Sequence, residues 1–442
     1  MAANHPAYNL KAVIHETGLT PATLRAWERR YGVPKPQRSA GGHRLYSLEE
    51  IEMLKWLVAR QSEGLSISQA IELWRSQGPF PPPNVASSLS PRVDTGSGVT
   101  MLDQLREQWI AACMAFDEPA AELALSQSLA LAAPEVVCTD LLQKGLAQLG
   151  EGWYAGKVSV QQEHFASALA ARRLNALLAA APPPSRPARL LAACPPGEMH
   201  DLALLMLAFN LRWQGWDVVY LGANVPLDRM AATLRSTQPQ LVLSVAQTLP
   251  GAAALKELAH FVSEHSVALA YGGGIFSQIP DLSLSIPGYH LGQELSTVPQ
   301  KIESFLTHPP VLPTPPPLSP AYAAALAGFK DKDALIVSAV NALLQNSSID
   351  PRHLEEANLH LTRSIASALA LGDMRFLDHS VAWLDGLLAN HGLSPQLAEE
   401  YYAVYRRAVE QQLGALGQPI MDWLTNINEA SAGKVNPQEM RN

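Results

Sequence analysis

The chain has only three cysteines in 442 residues, Cys113, Cys138 and Cys194. They are too few and too scattered for a disulfide framework or a structural zinc site. No apolar run approaches the roughly 18 residues that a membrane-spanning helix needs, so no membrane partner is expected. Met1 to Pro6 lack the basic and apolar regions of a secretory signal. These absences set the expectation of a cytoplasmic protein. An excess of positive charge is also missing. The formal net charge of −8 at pH 7 argues against general affinity for nucleic acid. The charge is unevenly spread, however. Residues 1–78 hold ten Lys/Arg against seven Asp/Glu, a net of +3, which leaves the remainder near −11. A basic head on an acidic body suits one dedicated DNA-binding domain.

Proline marks the boundaries between modules. A Pro/Ser-rich segment opens at Gly78-Pro79-Phe80-Pro81-Pro82-Pro83. Pro182-Pro183-Pro184 ends a second module, and a stiff Pro-rich stretch runs from His308 to Pro320. The expected organisation is a head at 8–78, a linker at 79–99, a helical bundle at 100–181, an α/β domain at 187–307, a linker at 308–320 and a helical domain at 321–432.

In the head, Thr20-Pro21 opens a helix with a hydroxyl N-cap and a proline in the first turn. Leu24 and Trp27 share one face of it, while Arg25, Arg29 and Arg30 lie on the other. Gly41-Gly42 signals a hairpin, flanked by Arg38, His43, Arg44 and Tyr46, whose cationic and aromatic side chains can run along a DNA backbone. The string Thr23-Leu24-Arg25-Ala26-Trp27-Glu28-Arg29-Arg30-Tyr31-Gly32, followed by Gly42-His43-Arg44-Leu45-Tyr46, resembles the MerR family of transcription regulators. That resemblance implies a winged helix-turn-helix that binds double-stranded operator DNA through Thr23, Arg25, Arg29, Arg30, Arg38, His43, Arg44 and Tyr46. Such proteins usually pair through a long helix after the module. Here the Pro/Ser segment intervenes, so self-association as a dimer or tetramer is expected from elsewhere in the chain.

Between residues 187 and 307, apolar runs alternate with amphipathic segments, the pattern of an α/β domain. Leu190-Leu191-Ala192-Ala193 reads as a strand, and His200 follows it on the loop before a helix. Ligands of open α/β sheets bind at the carboxyl ends of strands. A neutral imidazole there is a good ligand for a transition metal such as cobalt, and Glu198, two residues earlier, can orient it. A second strand, Leu241 to Ala246, contains Ser244. A third runs from Val267 into Gly272-Gly273-Gly274, where missing side chains admit a bulky ligand. The order His200, Ser244, Gly272-Gly273 resembles the cobalamin-binding domains of methionine synthases, mutases and corrinoid proteins. Glu198, Ala203 and Ala246 stand where those domains carry Asp, Gly and Leu. The resemblance implies a flavodoxin-like fold, His200 as the cobalt ligand, and Glu198, Ser244, Gly272 and Gly273 around the cofactor.

The preceding segment shows helical periodicity throughout, with Ser159 and Gln162 placed as a capping box and four helices expected as a bundle. Trp153, then nine residues, then Glu163-His164 resembles the light-sensing CarH/LitR-type regulators of carotenoid genes. That resemblance implies a bundle that covers the upper face of adenosylcobalamin, with Trp153, Glu163 and His164 at the adenosyl group. Tyr154 stands where several members carry a histidine. Residues 321–432 read as a further helical domain with helices at 354–371, 377–388 and 393–416. Its histidines, His353, His360, His379 and His391, fit no common metal site. A protein partner, a second ligand or self-association is the expected role. The whole reads as a non-enzymatic, cobalamin-dependent, light-responsive transcription regulator. The competing readings are the corrinoid protein of a methyltransferase system and a regulator that has lost light sensing.

Overall fold

The computed structural model describes residues 8–17, 19–38, 44–62, 67, 71, 95–312, 314–345, 347, 349–378 and 395–432. They fall in two units, Met1–Arg92 and Val93–Asn442.

The first unit contains β1 (Tyr8–Asn9), α1 (Leu10–Thr17), α2 (Pro21–Tyr31), β2 (Gln37–Arg38), β3 (Arg44–Tyr46) and α3 (Leu48–Ser62). Thr20, in extended backbone, accepts the Thr23 N–H on Oγ1 at 3.1 Å, and Pro21 removes a donor that would have had no helical partner. Gly32 ends α2 with φ +65°, a left-handed value that glycine adopts without strain. The three short strands pair antiparallel in the order β1–β3–β2. Val13, Leu24, Trp27, Tyr46, Ile51, Leu54 and Leu57 close a core beneath α2, so the two apolar residues read at helical spacing in the sequence are both buried. The hairpin tip at 39–43, with Gly41, Gly42 and His43, lies outside the described residues.

The second unit begins with four helical arms: α4 (Thr95–Met114), α5 (Glu118–Leu131), α6 (Lys144–Tyr154) and α7 (Val160–Ala179). A short helical turn, Pro134–Val137, and a π-helical segment, Cys138–Gln143, lead directly into α6. The α/β part follows: β4 (Arg189–Ala193), α8 (Leu202–Trp213), β5 (Asp217–Gly222), α9 (Met230–Thr237), β6 (Leu241–Val245), α10 (Leu249–Glu264), β7 (Ala268–Gly272), β8 (Tyr289–His290) and α11 (Val298–Thr307). Five parallel strands lie in the order β5–β4–β6–β7–β8, a doubly wound sheet whose strand order reverses beside β4.

Both faces of this sheet are covered, so its strands read as nearly continuous apolar runs. Alternation along each strand still sorts the side chains. Leu190, Ala192, Leu241, Leu243, Val245 and Ala270 share one core with α8, α11 and the bundle, including Trp109, Leu169 and Leu174. Leu191, Val242, Leu269 and Tyr271 share the other with α9, α10 and the C-terminal helices. Those helices are α12 (Pro320–Leu343), α13 (Pro351–Leu371), α14 (Pro395–Leu413) and α15 (Gln418–Ala432). The sequence reading missed α12 altogether. Its N-terminus sits directly after the proline run, with Ser319 as the cap accepting the Tyr322 N–H. Residues 379–394, with His379 and His391 and most of the helix expected at 377–388, lie outside the described residues.

The C-terminal helices are therefore packed against the α/β sheet's own helices. Helix α13 lies along α10. Lys256 of α10 donates from Nζ to the carbonyl of Ala370 at 3.0 Å, satisfying a free carbonyl in the last turn of α13, and burial lowers the pKa of its ammonium. Ile365, fully buried, belongs to this shared core. Ile365→Ala is expected to destabilise the second unit by about 2–5 kcal/mol. Thermal unfolding followed by far-UV circular dichroism should show the transition of residues 93–442 moving as one. Loss of the C-terminal helices alone, with the α/β part melting as in the wild type, would contradict a shared core.

Candidate functional site

His200 lies on the loop between β4 and α8, at the carboxyl end of a central strand. Asp201 is the N-cap residue of α8, and no side chain caps that helix. The His200 ring nitrogen Nδ1 meets Oε1 of Glu198 at 2.6 Å, leaving Nε2 outside that bond on a side chain that is 65% exposed. Glu198 itself is 1% exposed. A buried carboxylate must be surrounded by donors. Here Oε1 also accepts the His200 N–H at 3.1 Å and Oε2 accepts the Gln247 N–H at 2.8 Å. Burial alone would raise the Glu198 pKa, but the hydrogen bonds from the His200 ring and from the Gln247 and His200 amides hold it below the usual carboxylate value. The same ring hydrogen bond raises the His200 pKa against the effect of partial burial, with the charges of Glu198, Glu163 and Asp201 adding to it. Cys194, at the end of β4, is buried and its thiol is pushed up to about 12, so it is no competing thiolate ligand.

The loop is pinned from the neighbouring strand as well. Asn224 donates its N–H to the Glu198 carbonyl at 2.9 Å, while its Oδ1 accepts the Gly197 N–H at 2.8 Å. The Tyr220 hydroxyl donates to Asp201 at 2.8 Å.

Ser244 and the glycines meet His200 at the same end of the sheet. Ser244 is fully buried in β6 and donates from Oγ to the Ala193 carbonyl of β4 at 2.6 Å. Gly272 ends β7 and is buried. Gly273 has φ +125°, and a Cβ there would lie 2.0 Å from the Ala246 carbonyl oxygen. Glycine is required at Gly273 on both counts.

On the bundle side, Ser159 and Gln162 form the capping box expected of them, opening α7. Glu163 follows in the first turn. Its Oε1 accepts the Ser167 hydroxyl at 2.7 Å and its Oε2 meets Nδ1 of His164 at 2.8 Å. His164 is exposed. The charge of Glu163 raises the His200 pKa, so the start of α7 lies within electrostatic range of His200. Trp153, at the end of α6, is half-buried against the core shared by the bundle and α8. Nothing is described of the Tyr154 side chain.

In the head, Thr23 is half-buried with its hydroxyl 2.8 Å from that of Thr20. Arg25, Arg29 and Arg30 are exposed on α2. Arg44, on β3, pairs from Nε with Glu28 of α2 at 3.0 Å, so it ties the wing to the helix. Tyr46 departs from its expected role at DNA. Its ring is 1% exposed within the head's core, and burial raises its pKa, so it supports the wing from beneath. The Arg38 side chain lies outside the described residues.

Sequence reasoning missed two residues at the first site. Gln247 donates its backbone N–H to Glu198 and accepts the Gly274 N–H on Oε1 at 2.8 Å. Gly251, in the first turn of α10, lies so close to Glu198 that a Cβ would stand 2.2 Å from Oε2. The Pro250-Gly251 pair at a helix start was the available signal.

The residues present fit a corrin: His200, with Nδ1 held by Glu198 and Nε2 outside that bond, could serve as a ligand to its cobalt, and Gly273 leaves no side chain where one would collide with the Ala246 backbone. Among the described residues, no group of three or more His, Cys, Asp or Glu side chains is placed to hold a free metal ion. No helix among the described residues is long and apolar enough to cross a membrane.

Residues 8–77 match the MerR HTH family regulatory protein, and residues 105–178 and 188–297 each match a B12 binding domain. The chain is 33% identical over 236 residues to the HTH-type transcriptional repressor CarA of Myxococcus xanthus, spanning 53% of this chain and 74% of that protein. It is 32% identical over 240 residues to the repressor CarH of the same organism, spanning 53% and 77%. Among solved structures, the monomethylamine corrinoid protein of Methanosarcina barkeri is similar at 15% identity and a TM-score of 0.39, covering 47% of this chain and 98% of that one. The C-terminal helices lie beyond the residues these family models match.

The His200–Glu198 pair has a definite pH signature. The raised His200 pKa contributes stability that is fully present below its unfolded value near 6.5 and is lost as pH rises through the folded value. The lowered Glu198 pKa contributes stability present above its unfolded value of about 4.3 and lost as pH falls through the folded value. Nuclear magnetic resonance of the apo protein should show His200 titrating above an ordinary histidine, and Glu198→Gln should remove the shift. An unshifted His200 in the wild type would refute the pairing.

For the head, Arg25→Ala or Arg29→Ala is expected to weaken binding by about 1–3 kcal/mol if the residue reads a base. If it contacts a phosphate, the plot of log K against log salt should instead flatten by about 0.9. Fluorescence anisotropy on duplexes selected from a random pool measures both. Wild-type affinity and slope in both variants would remove α2 from the interface.

Proposed function

Because this chain belongs to the family of MerR-type transcriptional repressors with cobalamin-binding domains represented by CarA and CarH, we propose that it is a light-responsive regulator whose ligand is adenosylcobalamin. The observation that carries this reading is the His200 imidazole, held by Nδ1 on a buried carboxylate at the carboxyl ends of the strands and lying within reach of the Glu163 charge from the bundle.

His200 would hold the cofactor's cobalt through Nε2, with Glu198 fixing the tautomer and the ring plane. Ser244 and the Gly272-Gly273 backbone border the crevice that takes the nucleotide tail. Trp153 would cover the adenosyl group, with Glu163 and His164 beside it. These contacts hold the bundle closed on the α/β part and fix the surface through which copies of the chain associate as dimers or tetramers. Heads joined in this way bind repeated half-sites more tightly through effective concentration. The cofactor would supply a light-sensitive cobalt–carbon bond. Closure by Trp153 and the bundle would be favoured only while an adenosyl group is there to be covered, because a ligand shifts an equilibrium only by its differential affinity for the two states. The C-terminal helices, docked on α10, are the part of the chain left for a protein partner or a second ligand.

Analytical ultracentrifugation with adenosylcobalamin should show a larger species in the dark than after green light, and operator affinity should fall with it. Methylcobalamin should bind without driving full assembly. Trp153→Ala should keep cobalamin but lose most of the difference between dark and light. One mass for the wild type under every condition would overturn the light-gated assembly.

A further inference from the structure

Two loops at the carboxyl end of the sheet carry the serine and glycine signals, and a single side chain joins them. Gln247 follows β6 and accepts the Gly274 N–H on Oε1 at 2.8 Å. The donor is a backbone amide, which identifies the accepting end of the carboxamide as its oxygen. The same residue donates its own backbone N–H to Oε2 of Glu198 at 2.8 Å. The carboxylate that holds His200, the loop after β6 and the glycine loop after β7 are thus connected through one residue.

We propose that Gln247 is a positioning residue of the cobalamin site, fixing the glycine loop at a set distance from the Glu198–His200 pair.

The surroundings leave little room for another arrangement. Thr248 caps α10 and accepts the Gly251 N–H on its hydroxyl at 3.1 Å. Gly251 in turn abuts Oε2 of Glu198, where a Cβ would stand 2.2 Å away. On the opposite side Gly273 lies against Ala246, and Ala246 donates its N–H to the Gly272 carbonyl at 3.0 Å. Backbone therefore fixes the two loops at Ala246. Beyond Ala246 the Gln247 side chain spans the gap to Gly274. Its neutrality also matters. A carboxylate at this position would set a second negative charge near Glu198, which is already buried. Glutamine supplies the acceptor and the reach without that charge. A ligand imidazole is sensitive to such support, and loss of an outer partner typically weakens metal binding by about 10–100-fold.

This inference rests on the reading of His200 as the cobalt ligand, so the experiment contains a control for that reading. Gln247→Met keeps the length and removes the acceptor. Gly274→Ala acts from the other end: the backbone there is already right-handed helical, at φ −62°, and the new Cβ would lie 2.8 Å from the Gln247 oxygen and displace it. Full-length wild type, both variants and His200→Ala are titrated with adenosylcobalamin in the dark, recording affinity and the visible spectrum at saturation, with apo melting temperatures alongside. Both variants should bind about 10–100-fold more weakly, and their saturated spectra should move toward that of His200→Ala while the apo proteins melt near the wild type. Wild-type spectra and affinities in both variants, with His200→Ala shifted, would overturn the role of Gln247 alone. An unshifted spectrum for His200→Ala would overturn the ligand assignment and this inference with it.

Discussion

Glu198 is the constraint around which the site is arranged. A carboxylate that is 1% exposed is stable only if its oxygens are met by donors, and three N–H groups meet them, two from His200 and one from Gln247. Those bonds have consequences in both directions along the chain. Toward the site, they choose Nδ1 as the bonded nitrogen of His200 and leave Nε2 for a ligand. Toward the fold, they require a helix to begin close by with no side chain in the way, which is met by Gly251 in the first turn of α10. A charge placed in this interior sets the position of two loops and the start of a helix.

The sheet supplies the second level of organisation. Its two faces bury different partners, the bundle on one and the C-terminal helices on the other. The site lies at the edge between these cores, where β4, β6 and β7 end. Helix α10 has its first turn against Glu198 and its outer face under α13, with Lys256 bonded to the Ala370 carbonyl. The proline stretch at 308–320 is followed by helices that share a core with the sheet, so anything that shifts the C-terminal helices acts on an element that touches the Glu198 carboxylate.

Much of this was legible in the chain because the signals are local. The hydroxyl-proline start of α2, the capping box at Ser159 and Gln162, and the strand-loop-helix pattern around His200 each involve residues within a few positions of one another, and each has the expected form in the structure. The features that escaped are joined across sequence. Glu198 and Gln247 are 49 residues apart and meet only because β4 and β6 are neighbours in a parallel sheet. The start of α12 escaped because a proline run reads as a spacer, although Pro320 is well suited to a first helical turn. Tyr46 looked like a DNA contact because aromatic and cationic residues alternate along the wing, and only the fold shows that its face of β3 points into the core.

The central claim is that His200 ligates cobalt through the nitrogen its carboxylate partner leaves open. It is tested most directly by electron paramagnetic resonance of the protein loaded with cobalamin and reduced to the cobalt(II) state, prepared once with natural-abundance histidine and once with nitrogen-15 histidine. Ligation predicts that the nitrogen superhyperfine splitting changes from the triplet pattern of nitrogen-14 to the doublet pattern of nitrogen-15, and that His200→Ala abolishes the change. Identical spectra from the two preparations would contradict the account.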